Sequence, residues 1–298
     1  LDIALLNIMP DAAVKATDRQ FARLLSGRDK VDFRVFTLPE IARTPECSAY
    51  MADQFVSRES ILAAPPEALI VTGTNVRDPR LETQPFWGPL RDMLDWARDT
   101  VASTLCSCLA SHAVLQFRYG QRRRLRPAKT WGVYDHDVRL PGHPLAAGLP
   151  PVVPVPQSRY NEVTAAQFAA AGLDVIIADE TAGVHLAADR DNGLVLMQGH
   201  PEYDDVSLLK EYKREVRLFG EGVRPEYPPV PDGMVDEAGL GLFAEHGDRV
   251  RRAVKAGHPI PDFPEAEAAR HLHENWHPAS ARVFANWLDI VEGKRTGP

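Results

Sequence analysis

Three apolar runs in this chain each end at a residue that belongs to chemistry or to a tight turn rather than to a core. Ala68-Leu-Ile-Val-Thr72 leads into Gly73, Val101-Ala-Ser-Thr-Leu-Cys-Ser107 into Cys108, and Gly193-Leu-Val-Leu-Met-Gln198 into Gly199-His200. Short runs apolar on both faces fit strands buried in a parallel sheet. Helical patterns separate them, over residues 86–98 and 109–119. Strands alternating with helices imply βαβ units, and such sheets bind ligands outside the carboxyl ends of their strands. Gly73, Cys108 and His200 are therefore expected to meet at one edge of the fold.

The rest of the chain fits a three-layer α/β arrangement, a parallel sheet flanked by helices. Strand-like runs cover 1–8, 31–38, 131–140, 152–155, 174–178 and 184–187. Helices are expected at 11–26, 53–63 and 204–219, the last strongly amphipathic. We read residues 1–298 as one α/β domain. Its proline-marked segment 223–275, with a helix at 234–256 and a stretch at 264–273 beyond a second proline-marked break, forms a peripheral excursion, and a last helix at 278–291 packs back on the core. Leu1 already lies inside a strand-like run, so a natural amino terminus is expected upstream.

Composition narrows the function classes. A formal charge of −7 argues against nucleic-acid binding, which needs a basic surface. No apolar run approaches the ~20 residues that cross a bilayer, and no signal-peptide pattern opens the chain. No membrane partner is expected. Three cysteines do not make a disulfide framework and suit a reducing compartment, so the expected location is the cytoplasm. The sequence is compatible with a homodimer. His271, His273 and His277 do not have the spacing of a familiar metal site, and no metal is expected.

Cys108 closes a strand and opens a helix. At such an elbow the side chain is lifted from the sheet, while the first free N–H groups and the helix dipole favour a thiolate. Pro201 keeps His200 extended, so His200 and Glu202 project to the same side. Cysteine, histidine and glutamate then form a nucleophile, a base and an orienting acid. The N–H of Leu109 and one from the Gly73-Thr74 loop are the expected oxyanion donors. Cys106 precedes the elbow and is expected to be buried, and Cys47 is incidental.

Eight strings carry a resemblance: Leu6-Asn-Ile-Met-Pro10, Arg19-Gln-Phe-Ala-Arg-Leu-Leu25, Leu69-Ile-Val-Thr-Gly73, Ser103-Thr-Leu105, Gly132-Val-Tyr134, Ser158-Arg-Tyr160, Gly199-His-Pro-Glu-Tyr-Asp204 and Asn286-Trp-Leu288. In this order they resemble the homoserine O-succinyltransferase/O-acetyltransferase family, similar in fold to class I glutamine amidotransferases. The resemblance implies an enzyme of methionine biosynthesis, with acyl-CoA as co-substrate, no cofactor, and L-homoserine or a similar hydroxy amino acid as acceptor. It implies Cys108 as the acyl-accepting nucleophile, His200 as general base and Glu202 as its partner. Lys129, Ser158 and Arg214 fall at substrate-contacting positions, and Arg77 at the position linked to acyl-donor choice.

Here the chain departs from the family pattern. Gly73-Thr-Asn-Val-Arg77 replaces a Gly-Ala-Pro string followed by glycine or glutamate, Leu109 replaces tryptophan, and His112 stands where glutamine is usual. As a cation Arg77 would pair with the free carboxylate of a succinyl group; as bulk it would admit only acetyl. The pairing with succinyl is the preferred reading. A serine O-acyltransferase and a glutaminase or hydrolase of the same fold remain alternatives. Arg122-Arg-Arg-Leu-Arg126 reads as a solvated loop, with a coenzyme A phosphate site as the minority view.

Overall fold

The computed structural model describes residues 1–28 and 30–296. Its strands are β1 (Asp2–Leu6), β2 (Asp32–Phe36), β3 (Ala68–Val71), β4 (Ser103–Ser107), β5 (Arg124–Val138), β6 (Val152–Glu162), β7 (Asp174–Asp179), β8 (Gly183–Ala188) and β9 (Leu194–Met197). They form one nine-stranded sheet in the order β2-β1-β3-β4-β9-β8-β7-β5-β6. The helices are α1 (Asp11–Leu25), α2 (Pro45–Gln54), α3 (Arg58–Ala63), α4 (Trp87–Thr100), α5 (Leu109–Tyr119), α6 (Ala165–Ala170), α7 (Ser207–Gly220), α8 (Glu237–Ala256), α9 (Glu265–Ala268) and α10 (His277–Thr296). Among the described residues no helix is long and apolar enough to cross a membrane.

The sheet is α/β as the runs imply, but only half of it is parallel. Strands β2, β1, β3, β4 and β9 run parallel, whereas every pairing beyond β9 is antiparallel. The physical reason lies in the connections. Only Glu180 to Ala182 separate β7 from β8, and only Asp189 to Gly193 separate β8 from β9. Neither can hold the crossover helix that parallel neighbours require.

Side-chain alternation builds a core on each face. On β4 and β9, Cys106, Leu194 and Leu196 enter one core with α4 and α5. Leu105, Val195 and Met197 enter the opposite core, shared with Phe21 of α1 and Phe284, Trp287 and Val291 of α10. Trp287 Nε1 donates to Ser103 Oγ at 2.9 Å, fixing α10 against β4. Segment 223–275 builds a third cluster, in which Phe243 and Val250 of α8 pack on Leu208, Tyr212 and Val216 of α7.

Several boundaries differ from the sequence reading. The expected 53–63 helix is two helices, because Thr44 and Ser57 each cap a new start, accepting from the N–H groups of Cys47 and Ser60. The 264–273 stretch holds a single helical turn followed by a 3-10 turn. Strand β6 continues through Pro154 and Pro156 to Glu162, because it is the edge of the sheet, where proline is tolerated.

Candidate active site

At the end of β4 the chain turns into α5 through Cys108, whose φ of 49° and ψ of −112° are rare for a non-glycine residue. Such a conformation costs on the order of 1–3 kcal/mol and persists only where its surroundings hold it. Cys108 N donates to Met197 O at 2.7 Å, and Cys108 O accepts from Ser111 N at 3.1 Å and Ser111 Oγ at 2.6 Å. The half-buried thiol thus stands at the amino end of α5. Gly73 lies against the elbow: a Cβ there would sit 3.0 Å from Leu109 N and 3.1 Å from Cys108 Cβ. The Leu109 N–H and the Gly73-Thr74 loop therefore border the same small space.

His200 follows β9. Gly199 makes its placement possible, since a Cβ at 199 would meet Val155 Cγ1 at 2.6 Å and Gln157 Nε2 at 2.7 Å. His200 N donates to Pro156 O at 2.8 Å, and its Nδ1 lies 2.8 Å from Glu202 Oε1. Its Nε2 is buried and makes no hydrogen bond of good geometry, which leaves it open to Cys108 and to a reactant. Burial alone would push the Cys108 thiol up. The charge of His200, a hydrogen-bonding interaction with it, and the charge of Arg159 outweigh burial and hold the thiol below its usual value. Burial would likewise lower His200, but Glu202 and Cys108 raise it well above the usual imidazole range. Each shift favours the thiolate of Cys108 and the imidazolium of His200. Cys106, buried on β4, is pushed up to about 12.

A pocket of about 350 Å³ opens in front of the elbow, and all the sequence-predicted site residues line it except His200 and Gly73, which back it. Lys129 of β5 and Ser158 of β6 reach the same acceptor, Glu211 Oε2, at 2.9 and 2.6 Å. Trp131 Nε1 joins them at 2.9 Å, while Tyr203 OH donates to Glu211 Oε1 at 2.6 Å. Burial would raise the Glu211 carboxyl, but Lys129 and these donors hold it below its usual value. Burial lowers Lys129, offset only in part by Glu211. Arg214, one turn along α7, is exposed and lies 3.1 Å from Glu215. The Arg77 guanidinium stands 4.7 Å over the Tyr160 ring and has no carboxylate in ion-pair range among the described residues.

Sequence reasoning missed Glu211, Tyr203 and two buried arginines. Glu211 had a readable signal, since it lies three residues before Arg214 on one amphipathic helix. The 122–126 run is corrected. Arg123 is buried and donates to Val76 O at 2.9 Å and Asp78 O at 2.5 Å, bracing the loop that carries Arg77. Arg122 pairs with Glu82, and Arg124 and Arg126 pair with Glu162. Arg159 is buried against Gln157 Oε1 and Ala182 O. Burial pushes both Arg123 and Arg159 down to about 10, which is still cationic at neutral pH. His112 Nε2 meets Gln198 Oε1 at 2.8 Å, and burial pushes this imidazole down to about 3. Of the three carboxy-terminal histidines, His271 pairs with Asp236 and His277 with Asp205. Among the described residues no cluster could hold a metal ion.

The fold is glutamine amidotransferase-like, and the elbow gathers cysteine, histidine and glutamate. A glutamine amidotransferase of Methylobacillus flagellatus shares the fold, with a TM-score of 0.52 at 14% identity over 97% of this chain and 94% of that one. The chain belongs to the homoserine O-succinyltransferase family, a family of acyltransferases, and matches its profile (HTS) over residues 1–296. A homoserine O-succinyltransferase of Allochromatium vinosum is 48% identical over 295 residues, 98% of this chain and 83% of that protein. One from Thioalkalivibrio nitratireducens is 45% identical with the same coverage.

Proposed function

We propose that this chain transfers a succinyl group from succinyl-CoA to the hydroxyl of L-homoserine through a thioester on Cys108. The observation that carries the reading is Cys108 on its elbow at the amino end of α5, beside the Leu109 N–H and Gly73, with His200 held by Glu202 at 2.8 Å. In the first half-reaction the Cys108 thiolate attacks the thioester carbonyl. The developing oxyanion is met by the Leu109 N–H and the Gly73-Thr74 loop, the carbon–sulfur bond to coenzyme A breaks, and His200 gives its proton to the departing thiolate.

Acylation removes the Cys108 charge that helps raise His200. With that charge gone the imidazole left behind is more readily neutral, and so free to accept a proton in the second half-reaction. It takes the hydroxyl proton of homoserine as the oxygen attacks the Cys108 thioester, and the thiolate reforms beside the imidazolium. Arg214 faces the amino-acid carboxylate, and the Lys129–Glu211–Ser158 network shapes the floor beneath it. Arg77, free of a carboxylate partner, is available to the distal carboxylate of the succinyl group.

Initial-rate kinetics test the scheme. With donor and acceptor varied together, the double-reciprocal lines are parallel, and Cys108→Ser loses turnover. Intersecting lines with an active serine variant refute the thioester route.

A further inference from the structure

The basic run at 122–126 is already committed to carbonyls and carboxylates, as described above. A different surface is not. A second cavity of about 350 Å³ lies across α7, where Lys210, Lys213, Arg214 and Arg217 border it against the single carboxylate Asp262. Lys210 and Arg214 line the reaction pocket as well, so the two spaces meet along one helix. The four cations sit at i, i+3, i+4 and i+7, which puts them on one face of the helix. In a chain of net charge −7 this is a local reversal of sign.

The existing partners of Lys213 and Arg217 are replaceable. Lys213 pairs with Glu265, Arg217 lies 3.2 Å from Glu221, and Arg214 lies 3.1 Å from Glu215. The Lys213 and Arg217 pairs are exposed and of small net value, while Glu215 is largely buried and also holds Arg224. Lys210 has no carboxylate in ion-pair range among the described residues. A second observation points to a ligand that is not purely anionic. His246 of α8 borders the cavity fully buried, and neither ring nitrogen has a hydrogen-bond partner. Burial lowers this imidazole, so at neutral pH it presents one donor and one acceptor. Phe263 stands edge-on to it at 5.3 Å and completes an aromatic wall.

We infer that this cavity holds the phosphorylated nucleotide end of the acyl donor, with Lys213 and Arg217 of α7, which line this cavity alone, on its phosphates and the His246–Phe263 wall beside its base. The inference rests on the acyl-CoA reading above and gives that donor a second anchor, remote from Cys108. It also separates binding from chemistry, since the nucleotide is not part of the reacting thioester.

The test compares succinyl-CoA with succinyl-pantetheine, which lacks the nucleotide, in wild type and in the Lys213→Glu/Arg217→Glu variant. The ratio of kcat/KM for the full donor to that for the short donor is expected to fall on the order of tenfold in the variant. Adenosine 3′,5′-bisphosphate is expected to compete with succinyl-CoA on wild type, and to do so more weakly at high salt and on the variant. An unchanged ratio, or competition untouched by the double reversal, overturns the inference. Failure of both donors to acylate Cys108 on wild type instead overturns the acyl-transfer reading itself.

Discussion

Tyr203 lies nearly flat on His200, with ring centroids 4.5 Å apart and planes 21° from parallel, while its hydroxyl reaches Glu211 at 2.6 Å. The stack joins the His200 imidazole to the acid that gathers Lys129, Ser158 and Trp131. Tyr203→Phe keeps the ring and loses the bond to Glu211; Tyr203→Ala loses both. The expected order of kcat is wild type, then phenylalanine at a few-fold loss, then alanine at roughly tenfold or more, in keeping with about 0.5–1.5 kcal/mol for each contact removed. Steady-state kinetics check the order, and equal losses in the two variants contradict it.

Glu211→Gln leaves Lys129 buried without its counter-charge. Glu211 is what opposes the burial-driven lowering of Lys129, so the lysine pKa falls further in the variant. Breaking a buried pair of this kind costs about 3–5 kcal/mol. The melting temperature is expected to drop and the KM for homoserine to rise. Replacing both partners, as in Lys129→Met/Glu211→Leu, is expected to recover stability without recovering the KM. Calorimetry and kinetics on the two variants separate the effects.

The thiol of Cys108 is held below its usual value chiefly because His200 outweighs burial. Its thiolate therefore persists as pH falls, until the lowered pKa is crossed. Iodoacetamide alkylation followed from acid to alkaline pH is expected to show a midpoint below that of free cysteine, near ~8.5. In His200→Asn the midpoint moves up. A midpoint that is unchanged in the variant contradicts the coupling.

Gly73→Ala places a methyl 3.0 Å from Leu109 N, where the oxyanion would be received. Loss of one such donor costs about 10²- to 10³-fold in kcat. The expected result is a kcat loss in that range with thermal stability little changed.

Arg77→Gly removes the one pocket cation stacked on Tyr160 that faces no acid among the described residues. Competition between succinyl-CoA and acetyl-CoA is expected to shift toward acetyl. If succinyl use is unaffected, the carboxylate pairing falls.

The strand ends were legible because buried parallel strands write themselves as apolar runs, and Gly73, Cys108 and Gly199-His200 punctuate them. The antiparallel half was not. Pro156 hid the continuation of β6, and the pairing of β5 with β6 is a long-range matter that no local pattern encodes. The same limit applies inside the site. Glu211 collects donors from two strands and a turn brought together only by folding, and Arg123 differs from its exposed neighbours Arg122 and Arg124 solely by where the loop turns inward.

The central claim is that Cys108 carries the acyl group between the two substrates. Intact-mass measurement after mixing the protein with succinyl-CoA alone tests it most directly. The account predicts one covalent succinyl adduct that disappears on adding L-homoserine and never forms on Cys108→Ser. An adduct on the serine variant at wild-type level, or O-succinylhomoserine produced by that variant at the wild-type rate, would contradict it.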